Sequence, residues 1–517
     1  MIMPKYKFAL LPLAICIASG SVFAATNAEL EQRLEDQERQ IKKLERKLKG
    51  TRGAVKQNKK RINDIGDRFR INGFFSGGVA VNDGDPAELS IYGIEDNYST
   101  DAVSRLGIQM SFEVTDDMNL TGQLVSRGVN NYDLEAEWAY LSWDVTSKFT
   151  VRIGRQRIPY YLLSEYLEVG YAYPWVRPPI ELYNIPISST DGLGVLYDFS
   201  VGAVNFSTQA YAGAGSGFAD QLEGEFTLNQ AWGIAQFFEW NDFTFRIGYN
   251  TSNLDVGNIQ ADGVGQSLLD GTEAVSTLIY GNAALTPSII ASLGALPALE
   301  PLQLENVSTE YISAAFSYDN GSLLVMGEIA NLKVQDLAQP VGDSGYLTIG
   351  YRFGDWMPHV TYAKFYTDSR SDEEVDELLE QIAYGIRAAS FTKGVAAINP
   401  LISLTEIQSA TLEAALSSTD GLPALYNRVA NLRQQQTSYT IGLTYNINPR
   451  VKAKLEASHY ENLGDVQQIE NVNFITSPGP TSVITYGEVG GNGRFSGDPG
   501  AIEGHTAIYS FSIDAVF

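Results

Sequence analysis

Residues 509–517, YSFSIDAVF, form a stretch that alternates with a period of two. Successive side chains of a β-strand point to opposite faces, so every second residue shares a face. One face of this stretch is apolar and carries Tyr509, Phe511, Ile513, Ala515 and Phe517. An apolar outer face with aromatic residues near its ends is typical of a strand in a transmembrane β-barrel. The stretch therefore predicts a strand that faces lipid.

The same alternation recurs along the chain from Phe69 onward. In RLGIQMSFEV (105–114) and FTFRIGYN (243–250), apolar residues alternate with polar residues or glycine. About sixteen such segments occur, each close to the roughly ten residues that a tilted membrane strand needs. The others lie near 69–81, 118–127, 136–145, 149–157, 190–199, 203–213, 230–240, 308–318, 322–334, 344–353, 356–367, 436–447, 450–461 and 507–517.

Short and long connections join these segments in turn. The short ones are TDDM, TSK, SVG, ND, NG, GD and NPR. The long, polar ones include 82–99, 128–135, 158–189, 254–307, 369–432 and 464–506. Short turns at one rim and long loops at the other are typical of an up-and-down barrel. We predict an all-β fold, a transmembrane antiparallel barrel of about sixteen strands, because soluble β-sandwiches seldom show this rhythm.

Residues 1–24 have the features of a secretory signal peptide. Lys5 and Lys7 precede an apolar run, and Val22-Phe23-Ala24 forms a small-residue cleavage site. Cys16 is the only cysteine, and the alternative is that it accepts a lipid. The processed chain would then lack disulfide bonds.

Residues 25–67 carry a heptad repeat and predict a periplasmic coiled coil, hence an oligomer. The apolar core positions include Leu30, Leu34, Ile41, Leu44 and Leu48. Charged residues fill nearly all the other positions, which disfavours the alternative of a single amphipathic helix lying on its own domain. Gln37, Thr51 and Asn58 are polar at core positions, where they can fix register and oligomeric state.

The composition argues against several classes of function. The chain has 36 basic and 61 acidic residues, a net charge of -25, so we expect no nucleic-acid partner. His359, His459 and His505 are the only histidines, and their spacing is not that of metal ligands. We therefore expect no metal, no cofactor and no enzymatic activity.

The signal peptide, the heptad segment, the strand pattern and Phe517 together resemble the Gram-negative outer-membrane porins that carry an N-terminal coiled coil, the DcaP-like type. The resemblance concerns architecture and identifies no solute. It implies a homotrimer in the outer membrane, and it implies that Phe517 is the assembly signal of the barrel. It also implies that the third long loop folds inward. Residues 68–517 would form the barrel, with helical insertions near 255–307 and 369–432 that a compact porin lacks.

If the apolar face meets lipid, the alternate residues of each strand face the lumen. The inferred wall is rich in cations, namely Arg70, Arg105, Arg127, Arg152, Arg246, Arg352, Lys452 and Lys454. Its acidic members are fewer: Glu113, Asp198, Glu328 and Glu456. Clustered cations predict a bias toward anions such as carboxylates, since rings of one charge set pore selectivity. The alternative is that these are ordinary lumen charges paired across strands.

The third long loop, within RQRIPYYLLSEYLEVGYAYPWVRPPIELYN (155–184), is dense in proline and aromatic residues. Prolines stiffen its path, and Tyr and Trp pack an apolar body while leaving a polar tip free. We predict that Glu165, Glu168 and Glu181 face the basic wall across a constriction, with Arg177 among them. The alternative is a surface loop packed at the trimer interface.

Arg155 and Arg157 do not fit the alternation, because they share a face with Val151 and Ile153, the predicted lipid face. Either the strand ends before them or a bulge near Gly154 shifts the phase. Both outcomes would turn the two arginines toward the mouth or lumen, so we include them among the constriction residues.

The sequence thus predicts an outer-membrane porin through which small hydrophilic solutes diffuse passively, with a modest bias toward anions. Its partners would be itself, outer-membrane lipid and these solutes. One alternative is a structural tether whose coiled coil reaches the peptidoglycan of the cell wall. Another is a receptor whose helical loop insertions bind a specific ligand.

Overall fold

A computed structural model of the chain describes residues 68–83, 96–185, 187–219, 224–256, 306–334, 342–367, 435–461, 463–475, 481–490 and 504–517, with single positions in 35–66, 93–94, 376–390 and 423–430. The predicted signal peptide and the coiled-coil core positions Leu30, Leu34, Ile41, Leu44 and Leu48 lie outside the described residues. The described positions between 35 and 47 are helical. Among the described residues, no helix is long and apolar enough to cross a membrane.

Eighteen strands follow one another along the described residues. They are β1 (Phe69–Asn82), β2 (Arg105–Thr115), β3 (Met118–Arg127), β4 (Leu134–Thr146), β5 (Phe149–Arg157), β6 (Ser189–Val201), β7 (Val204–Ala219), β8 (Gly224–Trp240), β9 (Phe243–Val256), β10 (Val307–Asp319), β11 (Leu323–Val334), β12 (Gly342–Tyr351), β13 (Trp356–Thr367), β14 (Gln435–Asn448), β15 (Val451–Glu461), β16 (Asp465–Ile475), β17 (Thr481–Gly490) and β18 (His505–Val516).

Sixteen of these strands close into one antiparallel barrel in the order β1-β18-β15-β14-β13-β12-β11-β10-β9-β8-β7-β6-β5-β4-β3-β2. Apart from the step from β15 to β18, each barrel strand pairs with the barrel strand that follows it in the chain, and β1 pairs with β18 to close the ring. The predicted all-β barrel of sixteen antiparallel strands is confirmed.

The closing strand shows the alternation that its sequence predicts. Tyr509 and Ile513 are exposed on the outer face, whereas Ser510, Ser512 and Asp514 are buried on the inner face. At the seam, the backbone N–H of Phe517 donates to the Gly73 carbonyl oxygen at 2.9 Å. Glycine suits that position, because a Cβ there would lie within 2.4 Å of atoms of the Phe517 ring.

β16 and β17 form a separate two-stranded sheet within the last long connection. The sequence predicted one long loop from 464 to 506 without strands, so the structure differs from the prediction in this hairpin. It packs against the preceding long connection: the Ile469 N–H donates to Asn427 Oδ1 at 2.8 Å, and the rings of Tyr426 and Tyr486 are 5.7 Å apart. The described positions in 376–390 are helical, as predicted for that insertion.

Candidate functional site

Residues 158–188 connect β5 to β6, and we name them the lumen segment; all of them except 186 are described. The Leu162 N–H donates to the carboxylate of Glu328 on β11 at 3.1 Å. Six residues later, Glu168 accepts from Arg127 on β3 at 2.8 Å. Seven barrel strands separate β3 from β11 in either direction. A short segment can bridge opposite walls of a closed barrel only from inside it, so this segment lies in the lumen.

One side of the lumen segment is apolar and packs on the wall from β7 to β13. Tyr160 meets the ring of Tyr311 edge-on at 5.2 Å, and Trp175 meets that of Tyr346 at 5.4 Å. Trp175 is 1% exposed, and its indole N–H donates to Thr361 Oγ1 at 2.8 Å. Burial of these large rings stabilises the segment against this wall. That part of the lumen is therefore filled by side chains.

Arg246 and Glu328 lie beneath the segment on this wall, with both side chains fully buried 3.8 Å apart. Arg246 donates to the carbonyl oxygen of Pro159 and, at 2.7 Å, to Ser313 Oγ. The Tyr183 hydroxyl donates to Glu328 at 3.1 Å. Arg246 was predicted to line the pore, but the lumen segment covers it, so it anchors the segment instead of meeting water.

A second anchor lies on β15 and β18. Lys454 Nζ is 3.0 Å from Asp514 Oδ2 and donates to the carbonyl oxygens of Gly170 and Trp175 at 2.5 and 2.7 Å. Glycine suits position 170, because a Cβ there would be 2.4 Å from Asp514 Oδ1. The predicted wall lysine thus binds the backbone of the segment. Asp514 was not predicted as a site residue, because the closing strand was recognised only from the apolar residues of its other face.

The other side of the segment is charged and faces β2 to β5. Glu168 lies 3.7 Å from Arg105, 2.8 Å from Arg127 and 3.4 Å from Arg157. Arg127 also pairs with Glu135 at 2.5 Å and with Glu137, and Arg157 lies 3.2 Å from Glu137. These residues, three arginines and three glutamates, are named the arginine cluster.

The charges of the arginine cluster are mutually stabilising. Burial alone would raise the pKa of Glu168, but the charges of Arg127 and Arg157 outweigh it and hold the pKa well below its usual range. Glu168 was predicted to face the basic wall, and the geometry brings it together with predicted Arg105, Arg127 and Arg157.

Glu135 and Glu137 were not predicted as site residues. Between β3 and β4 the register shifts: Gln123 faces Trp138, whereas Leu124 faces Ala136, so Glu137 is the extra residue of a β-bulge. A bulge changes the phase of the alternation, which places both glutamates beside Arg127. The available signal was two acidic residues two positions apart, where the predicted connection 128–135 meets the predicted strand near 136–145.

The remaining predicted wall cations also have partners. Arg152 lies 3.4 Å from Glu165 of the segment and 5.0 Å from the ring centre of Tyr140. Lys452 donates to the Tyr171 carbonyl oxygen at 2.8 Å. Two pairs lie toward the short connections, namely Arg70 with Glu113 and, at 2.5 Å, Arg352 with Asp319.

Arg155 is placed differently from the prediction. β5 stays paired with β6 through Arg157, so the alternation keeps Arg155 on the face of Ile153, which is 55% exposed. Arg155 pairs with Asp191 at 2.7 Å on this outer face. The backbone between Ile153 and Arg155 is unusual, since Gly154 has a φ of +125°. Arg157 is the last residue of the strand, and its guanidinium points into the arginine cluster. The side chain of Arg155 therefore points outward, and that of Arg157 points into the lumen.

Arg177 and Glu181 also differ from the prediction that they face the basic wall. Arg177 donates to Ser510 Oγ on β18 at 2.8 Å, and Glu181 accepts from Gln436 on β14 at 2.8 Å. Both side chains are buried, so neither meets an open channel in this structure. The segment crosses the lumen between Glu168 and these residues, which carries them to another wall.

Open space remains along β1 to β4. A cavity of about 370 Å³ there is lined mainly by Asn72, Phe74, Gln109, Gln123, Trp138 and Glu165. Its walls come from inward positions of neighbouring strands and from the charged side of the lumen segment. The segment thus divides the lumen into a side-chain-filled part and a polar part.

The comparisons with known proteins found only matches of low similarity. No protein-family model and no curated protein matches the chain. Among solved structures, it is similar to the outer-membrane channel DcaP of Acinetobacter baumannii, with 8% identity, a TM-score of 0.42, and coverage of 87% of this chain and 97% of that chain. It is also similar to the trimer form of OmpT of Vibrio cholerae, with 10% identity, a TM-score of 0.41, and coverage of 87% and 99%.

Proposed function

We propose that the chain forms a water-filled channel in the outer membrane through which small hydrophilic solutes diffuse passively. One observation carries the proposal: the lumen segment is anchored to opposite walls of a closed barrel and leaves a polar space along β1 to β4. A barrel of sixteen strands is wide enough to contain an aqueous channel when its interior is only partly filled. A constriction of fixed shape then limits the size of the solute.

The bias of this channel toward anions is expected to be small. Each predicted wall cation has a carboxylate or a carbonyl oxygen as its partner, as Arg152 has Glu165 and Lys452 has the Tyr171 carbonyl. Paired charges produce a weaker net field than a ring of one sign. The arginine cluster likewise balances three arginines with three glutamates, so we expect it to add little net selectivity.

The test is single-channel recording of the purified protein in a planar bilayer. We expect stable conductance and a reversal potential in a potassium chloride gradient that indicates weak anion preference. Absence of any conductance would overturn the channel. Clear cation preference would overturn the anion bias while leaving the channel intact.

Self-association is part of the proposal, since the heptad positions in 25–67 need partner chains. The oligomer that we propose is a homotrimer, with the coiled coil in the periplasm. Light scattering of the detergent-solubilised protein, with and without residues 25–67, tests it. A monomeric mass for the full chain would contradict the proposal.

A receptor role is the second candidate, because two long connections pack together through Tyr426 and Tyr486 and so build a folded unit outside the barrel wall. Deletion of 373–432 distinguishes the two candidates. A channel keeps its conductance after the deletion, whereas a receptor loses saturable uptake of its ligand.

A further inference from the structure

Amide side chains form a row across neighbouring strands of the inner wall. In the barrel register Asn72 of β1 faces Gln109 of β2, and Gln109 faces Gln123 of β3. Gln123 in turn faces Trp138 of β4. All four line the cavity described above. Directly paired strand residues stand side by side, so these groups form one continuous polar strip.

The strip has hydrogen-bonding capacity that the protein itself does not use. Gln123 is 4% exposed and donates to Gln109 Oε1 at 3.2 Å. Among the described residues, none provides an acceptor for the buried Trp138 Nε1. A buried donor without a partner costs free energy, and a ligand oxygen in the cavity would satisfy it.

Charge does not favour an ion in this cavity. The side chains of its lining include one carboxylate, Glu165, and one guanidinium, Arg450, so the formal side-chain charges cancel. Glu165 is already engaged by Arg152 at 3.4 Å and by Gln209 at 3.3 Å. An anion or cation would leave its hydration shell for a lining whose side-chain charges balance, which is unfavourable.

Apolar surface accompanies the amides. Phe74 and Val169 line the same cavity as the indole of Trp138. Amides both donate and accept, as hydroxyl groups do, and an aromatic face covers C–H surface. A sugar or sugar alcohol presents this combination, a rim of hydroxyl groups around apolar C–H faces. The volume of about 370 Å³ lies at the small end of the range for ligand pockets.

We propose that the amide strip of Asn72, Gln109 and Gln123, together with Trp138, is a binding subsite for neutral polyhydroxy solutes, that is, sugars or sugar alcohols. This inference rests on the proposed channel, whose constriction it borders. Solutes of this class would be retained briefly at the strip and then released, so their passage would saturate with concentration.

The experiment measures block of single-channel current by maltose in potassium chloride, with triethylene glycol as a comparison solute that lacks the hydroxyl rim. We expect maltose to interrupt the current with a saturating concentration dependence, and triethylene glycol to lower it only in proportion to its concentration. A titration of intrinsic tryptophan fluorescence with maltose, in detergent, gives a second readout that does not require conduction.

Two variants probe the subsite. Trp138→Phe keeps an aromatic ring and removes the N–H donor. Gln123→Leu replaces the amide by an apolar side chain of similar size. Each is expected to raise the half-blocking concentration of maltose about threefold to tenfold, which corresponds to the loss of one neutral hydrogen bond. Trp232→Phe is the matched control: Trp232 is 49% exposed on the outer face of β8 and should leave the block unchanged.

The outcomes separate this inference from the proposed channel. Conductance with no saturable maltose block, or a block that neither variant weakens, overturns the subsite and leaves the channel standing. Without conductance the channel is overturned, and the fluorescence titration decides the subsite: a maltose-dependent change lost in Trp138→Phe supports it, and no change overturns it. If Trp138→Phe does not fold, Gln123→Leu provides the same comparison in either assay.

Discussion

Glu168 and Glu328 hold the same segment against opposite walls of the barrel. Glu328 on β11 accepts the Leu162 N–H at 3.1 Å, and Glu168 within the segment accepts from Arg127 on β3 at 2.8 Å. Because each contact uses a buried carboxyl group, the segment is fixed at both ends of its crossing. A segment fixed in this way acts as a permanent part of the lumen wall.

Glu168→Gln removes the negative charge on which Arg105, Arg127 and Arg157 converge. We expect the free energy of unfolding to fall by about 3 kcal/mol, because breaking a buried ion pair leaves uncompensated charge. Thermal unfolding in detergent measures it. Glu165→Gln is the control, since its pair with Arg152 is partly exposed and should cost no more than about 1 kcal/mol. Equal losses in both variants would contradict the anchoring role of Glu168.

The contribution of Glu168 should depend on pH in a defined direction. Burial opposes ionisation, but Arg127 and Arg157 lower the folded pKa below the unfolded value of about 4.3. A group with a lowered folded pKa stabilises above its unfolded pKa and loses that contribution as the pH falls through the folded pKa. The stability difference between wild type and Glu168→Gln should therefore stay constant from pH 8 to about pH 5 and shrink below about pH 4. Unfolding midpoints across this range test it; a difference that vanishes by about pH 6 would refute it.

Arg152 and Arg155 provide a matched pair for charge selectivity, because they lie on opposite faces of β5. Arg152 pairs with Glu165 of the lumen segment, whereas Arg155 pairs with Asp191 on the outer face. Arg152→Ala should shift the reversal potential in a potassium chloride gradient toward cation preference, since it leaves the Glu165 charge uncompensated. Arg155→Ala should leave it unchanged. A larger shift for Arg155→Ala would place Arg155 in the lumen and contradict the assigned faces.

Gly170→Ala should disturb the anchor formed by Lys454 and Asp514. Its Cβ would lie 2.4 Å from Asp514 Oδ1 and 2.6 Å from Ser76 Oγ, so those side chains must move. We expect a loss of about 1–3 kcal/mol, the usual cost of overpacking. Gly122→Ala on β3 is the control, because its Cβ would meet only a carbonyl oxygen at 4.0 Å. Thermal midpoints of the two variants compare them, and an unchanged midpoint for Gly170→Ala would show that the contact is not tight.

The barrel was predictable because its signal is local. Each strand repeats the alternation seen in YSFSIDAVF, and each connection shows its length directly in the sequence. The hairpin of β16 and β17 was missed, since it lies within a long connection and pairs only with itself. The site was predictable in part: Glu168 and its arginines were named, whereas Glu137 depended on a bulge set by pairing with β3.

The sequence alone determined the barrel strands, their number and which face of each is apolar, because side chains alternate along an extended backbone whatever the strand pairs with. The tertiary structure decided which inward charges meet water. Arg246 is covered by Pro159, while Arg157 turns toward Glu137. The burial of an inward charge depends on which residues lie over it. The lumen segment covers some wall residues and leaves others uncovered, because it crosses between strands that are distant in sequence.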